Sequence, residues 1–270
     1  MTFESPSPTE KAPAGRLEVE PKLVEKIENE ENFDNVDKEF LILVLAGEKP
    51  VAGLTLHQKS GENSEDFTRR VQKVRGLLAE TGLPYEEEKT DIQGEAESGK
   101  NDQYSVYDFY ISRDPQIAKE AMALASKKND DRHTPESQER FGLLMGYPKT
   151  AVEAYIKNIN DPRSQEPELP EDVEFAEYMD FKNFVVSQDH WREELETVKR
   201  WAETIREIAP DLYKKITSMR DRIDSLREEH PEEFKRSLLT DEKALRQLKF
   251  RDPALYEELV QERNRLTRTG

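Results

Sequence analysis

"EFLILVLAG", Glu39 to Gly47, then "EKP", then "VAGLTLHQ", Val51 to Gln58, is the stretch on which the fold turns. Each outer segment is an apolar run of strand length. Between them lie Gly47 and Pro50, residues that favour a turn. Two such runs around a turn predict a β-hairpin.

Working outward, "SEDFTRRVQKVRGLLAETG" places Phe67, Val71, Val74, Leu77 and Leu78 on one helical face. Ser64 is the expected N-cap and Gly82 the terminator, with Pro84 beyond it. Further strands are expected near Tyr85 to Gln93 and from Tyr104 to Ser112, where β-forming residues cluster. Asp114 and Pro115 then open a helix, as cap and first helical residue. Strand, strand, helix, strand, strand, helix is an α+β order. It predicts a small antiparallel sheet of about four strands covered by helices, with an extended all-α region at the C-terminal end.

Residues 1–36 are rich in Pro, Ser and Glu and predict an acidic, disordered tail. Within it only Leu17, Val19, Leu23, Val24 and Ile27 could form a short amphipathic turn. The α+β domain is expected over 37–160. A Pro/Glu-rich linker, "NDPRSQEPELPED", follows over 161–174, and a helical region over 175–270. In the middle lies "RFGLLMGYPKTAVEAY", Arg140 to Tyr155. Thr134 and Pro135 start the helix that Gly146 closes in a left-handed conformation, and Pro148 starts another. The result is a two-helix corner.

The helical region carries a seam spaced alternately four and three residues apart. It comprises Trp191, Leu195, Val198, Ala202, Ile205, Ala209, Leu212, Ile216, Met219, Ile223 and Leu226. Such spacing predicts a coiled-coil-like surface, and Pro210 predicts a kink or a new helix within it. Trp191 and Trp201 lie about 80° apart around a helix, so packing accounts for both without an aromatic cage. "PDLYKKI", "PEEFKRSL" and "PALYEEL" share a Pro followed three residues later by an aromatic, the pattern of three helix starts.

Composition narrows the chemistry. The 270 residues are 34% hydrophobic and 37% charged, with a formal net charge of −17. That sign repels phosphate backbones and anionic lipid, which disfavours nucleic acid and membranes as partners. Residues 211–270 differ, with 14 basic and 13 acidic side chains; they suit exposed helices laced with ion pairs. With no cysteine in the chain, disulfides, thiolate catalysis and Cys-type metal sites are excluded. "MTFESPSPTEKAPAG" lacks a signal-peptide core and no apolar run approaches a membrane span, so a cytoplasmic location is expected.

No His pair has helical metal spacing among His57, His133, His190 and His230, and no nucleotide or hydrolase motif occurs. Asp189, Glu193 and Glu196 could share a helix face, but acidic residues in a first helical turn answer the macrodipole. No catalytic residue, metal ligand or cofactor is assigned.

The mid-chain pattern resembles a prokaryotic family of uncharacterised proteins. Its members have a hairpin–helix–strands start and a Gly-Tyr-Pro-x-Cys-Cys-x-x-x-Phe corner. The matching stretches are "LVLAGEKPVAGL", "GYPKTAVEAY" and "FVVSQDHW", within residues 38–200. Thr150 and Ala151 stand where that family has its cysteines. The resemblance therefore implies a shared scaffold without the thiol chemistry.

Two functions follow as expectations. The first is a non-catalytic interaction protein that binds a protein partner or a second copy through its C-terminal helices. Its seam would comprise Trp191, Leu195, Val198, Ile205, Leu212, Ile216, Met219, Ile223 and Leu226. The alternative is a ligand-binding or enzymatic site at the corner. There Tyr147 would line a cleft, and Lys149 and Thr150 would offer a helix N-terminus to an anion.

Overall fold

The computed structural model describes residues 18–59, 61–95, 101–126, 134–160, 175–218 and 259–260. Contacts divide the chain into two compact units, Met1–Lys215 and Ile216–Gly270. The first unit opens with helix α1, Pro21–Glu28, inside the segment expected to be a disordered tail. Val24 and Ile27 are buried there, so the ordered domain begins well before residue 37.

The predicted hairpin is corrected at its first half. "EFLILVLA" belongs to helix α2, Asn35–Ala46. A local signal decides the outcome. The Asp34 carboxylate accepts from the Asp37 amide at 2.8 Å, and the Asp37 carboxylate accepts from the Asp34 amide at 3.1 Å. This reciprocal capping box satisfies two of the amides that a helix start leaves orphaned. Gly47 closes the helix at φ +82°. Every residue from Lys38 to Ala46 is buried. A helix covered on all sides needs no polar face, and its sequence loses the period that would identify it. Asp34→Ala should lower stability by about 1 kcal/mol, read as a lower denaturant midpoint at unchanged slope.

The second half holds as strand β1, Val51–His57. Helix α3, Ser64–Thr81, follows, capped by Asn63 rather than Ser64 and closed by Gly82. Asn63 Oδ1 reaches the amides of Glu65 at 3.0 Å and Asp66 at 2.9 Å. Strands β2, Tyr85–Glu95, and β3, Asn101–Ser112, form where expected. The sheet has three strands in the order β1-β3-β2, all antiparallel. Having no hairpin partner, β1 pairs with β3 from Val51↔Ser112 to His57↔Val106. Alternation puts Leu54, Leu56, Tyr107, Phe109 and Ile111 on one face. Phe67 of α3 meets Tyr107 there at 5.9 Å between rings.

Helix α4, Pro115–Ala125, is capped by Asp114 as predicted. Helices α5, Pro135–Leu144, and α6, Lys149–Asn160, form the corner, with Thr134 capping α5. Phe40, Val44, Val51, Ala52, Ala121, Leu144 and Met145 make one buried cluster that joins α2, β1, α4 and α5.

After a short 3-10 turn, Ala176–Phe181, helix α7 spans Trp191–Ile208. A second helical stretch begins at residue 210 and is described to 218, so Pro210 starts a helix instead of kinking one. The first part of the predicted seam is not a free surface. Leu195, Val198, Ile205 and Leu212 are buried in the first unit, where α7 packs against α2. Ile216 is also buried. Trp191 is half-buried, edge-on to Phe175 at 6.5 Å. Met219, Ile223 and Leu226 lie outside the described residues, as does the predicted linker. The helical region is therefore not a separate arm from residue 175. Among the described residues, no helix is long and apolar enough to cross a membrane.

Candidate functional site

The turn after α2 is built rigidly. The amides of Glu48 and Lys49 both reach back to the Leu43 carbonyl, at 2.8 and 3.2 Å. From the end of β3, Ser112 Oγ donates to the Pro50 carbonyl at 2.7 Å. Arg113 Nε donates to the Val44 carbonyl at 2.9 Å, and its Nη2 donates to that of Leu45. These bonds satisfy carbonyls that the helix end leaves without partners. The α2 terminus and its turn thus form one platform on the sheet.

The Gly-Tyr-Pro corner lies on this platform. Gly146 has φ +79°, and its amide bonds to the Leu143 carbonyl at 3.0 Å. A Cβ added at Gly146 would stand 2.8 Å from Pro50 Cδ. Glycine is needed here twice, for a left-handed backbone and for close approach. That contact delivers Tyr147 to the neighbourhood of Lys49.

Lys49 is the unusual residue. Its side chain is 2% exposed, and its Nζ has no hydrogen-bond partner. Three aromatic rings box it. Nζ lies 4.0 Å from the Trp201 ring centre, 4.1 Å from Phe40 and 4.8 Å from Tyr147. The walls come from α7, α2 and the corner. Phe184 backs two of them, at 5.5 Å from Tyr147 and 6.0 Å from Trp201.

Two effects compete at this amine. Ring faces attract an ammonium, each by about 0.5–2 kcal/mol. Burial strips its water, which costs several kcal/mol for an ion without acceptors. Burial dominates and lowers the amine to about 7, against a smaller opposing pull from the charge of Glu39. Glu39 is itself buried and accepts from Asn183 Nδ2 at 3.1 Å. Tyr147 responds in the opposite sense. Burial first, then the charges of Glu39 and Tyr155, hold its phenol above the usual range. At the rim, Arg200 Nε bridges Glu48 at 3.0 Å.

The predicted corner residues divide. Tyr147 is half-buried and enters the box. Lys149 is exposed and pairs with Glu153 at 3.6 Å one helical turn on, and Thr150 is half-buried beside it. The structure does not bring these two to Lys49. Trp201, read from spacing as a packing residue, packs but also walls an amine. The sequence reasoning missed Lys49 and Phe40, because "GEKP" has the composition of an ordinary exposed turn and Phe40 sits in a uniformly apolar run.

Elsewhere the Glu194 carboxylate is buried, accepting from the Ser187 amide at 2.6 Å through one oxygen. It orders the approach to α7 and lies apart from the box in sequence and role. Among the described residues, no three His, Cys, Asp or Glu side chains gather as a metal site. No protein-family model, curated protein or solved structure matches this chain.

Proposed function

We propose that this chain is a non-catalytic interaction protein, and that its binding segment lies after Lys215. The observation that carries the reading is where the seam goes. Its residues from Leu195 to Leu212 seal the chain's own core, and Met219, Ile223 and Leu226 continue the same spacing beyond them. Contacts also separate Ile216–Gly270 from the rest as a unit of its own. The mixed charge of residues 211–270 suits helices that choose a partner by ion pairing. The partner is a second copy or a protein with a complementary apolar helix face.

Light scattering during size exclusion tests the reading on the full chain. A mass above the 31.4 kDa of one chain is expected. Ile223→Asp with Leu226→Asp should return it to 31.4 kDa while leaving the unfolding of the first unit in place. A chain that stays monomeric at all concentrations, and whose cross-linked partners ignore both substitutions, would overturn the proposal.

A further inference from the structure

We propose that Lys49 is a proton-sensitive latch: gain of a proton on its amine loosens the Gly146–Pro148 corner from the Gly47–Pro50 turn, and loss of that proton closes it. The inference goes beyond the interaction reading and does not depend on it. It rests first on geometry. The amine is shut inside three rings with no acceptor, so a charge placed there has no hydration and no hydrogen bond. With 2% exposure it also has no path to a substrate, which sets it apart from a nucleophilic lysine.

One wall of the box is less deeply buried than the others. Phe40 belongs to a helix buried on every side, and Trp201 is fully buried in α7. Tyr147 sits on the two-helix corner, is half-buried, and touches the turn where Gly146 meets Pro50. Displacing that wall admits water to the ammonium at the least cost in packing.

The charged and titratable groups around the amine set the sign. Glu39 of α2 favours the proton but is already held by Asn183. Glu48 on the same turn is engaged by Arg200 of α7. Tyr147 stays a neutral phenol well above neutrality. With the latch closed the amine loses its proton near pH 7. With the latch open and hydrated it does so at about 10.4. Between those values the open form carries the extra proton, so opening becomes rarer as pH rises, approaching about tenfold per pH unit. Below pH 7 both forms are charged and opening is most frequent and flat.

The test uses the full chain. In a Trp191→Phe variant Trp201 is the remaining tryptophan of the two. Its emission should shift with a midpoint near 7 as the amine beneath its ring discharges. Hydrogen exchange, corrected for intrinsic rates, should show peptides over 140–155 gaining protection by nearly tenfold per unit above that midpoint. Peptides over β3, which open only with the unfolding of the whole unit, should be more strongly protected than the corner at every pH. Lys49→Met, with Lys49→Gln as a second neutral variant, should abolish both responses and leave the corner protected at every pH. Three results overturn the latch. One is an emission change that survives Lys49→Met, which would belong to a histidine. Another is the absence of any transition below about pH 9.5, as for an ordinary lysine. The last is equal levels of protection in β3 and the corner, which would mean that the corner opens only by global unfolding.

Discussion

Lys49→Met should make the protein more stable. At pH 7 the gain is roughly 1–4 kcal/mol, the range seen when well-packed apolar groups replace a buried ion pair. Methionine is unbranched like lysine, one atom shorter, and puts a polarisable sulfur against rings, a favourable contact in its own right. The native amine is lowered to about 7, whereas the unfolded chain holds its proton to about 10.4. Between these values the unfolded state binds more protons, so native stability rises with pH by up to about 1.4 kcal/mol per unit from this group. The rise begins near pH 7 and ends near pH 10. Below 7 both states are protonated and the burial cost stands in full. Denaturant titrations of wild type and variant at pH 7, 8 and 9 isolate the group by difference. A gap between the two proteins that does not narrow toward pH 9 contradicts the burial of a titrating amine.

Gly146→Ala should do the reverse, costing about 2–4 kcal/mol, and Gly82→Ala gives the scale. Both glycines have positive φ, +79° and +66°. An added methyl at Gly82 meets nothing within 4 Å, so only the backbone penalty applies, about 1 kcal/mol. At Gly146 the same methyl lands 2.8 Å from Pro50 Cδ. Pro50 cannot retreat, since its carbonyl is held by Ser112. The corner must therefore lift, and water then reaches Lys49. The amine in Gly146→Ala should titrate closer to an ordinary lysine, and the emission midpoint of Trp201 should rise with it. Equal losses for the two glycine variants would mean that the corner does not bear on the turn.

How much of this was legible depended on whether the signal was local. Caps and breaks were: Asp114–Pro115, Thr134–Pro135, Gly82, Gly146 and Pro210 act within one turn, and each lies at the boundary its chemistry predicts. Strands β2 and β3 were also readable. The run Phe40 to Ala46 was not, since burial on every side erases periodicity, and the Asp34–Asp37 pair is an all-aspartate form of the capping signature. The seam shows the opposite failure. Through Ile216 its spacing falls on helices, but spacing says nothing about whether the facing surface belongs to this chain or another, and from Leu195 to Leu212 it belongs to this one. Lys49 was invisible for a related reason. Its neighbours in the sequence are turn residues, while its walls arrive from residues 40, 147 and 201.

The strand order has a consequence for synthesis. β3 is the central strand, so β1 and β2 emerge from the ribosome before the strand that pairs with both. Helix α2 waits longer still, because α7 covers it and is made near the end of the first unit. For most of translation the apolar segment from Phe40 to Ala46 has been made while one of its walls has not. Such a segment invites association between nascent chains. The first unit is therefore one that completes itself late, and a slow ribosome or an early stop would release this apolar segment uncovered.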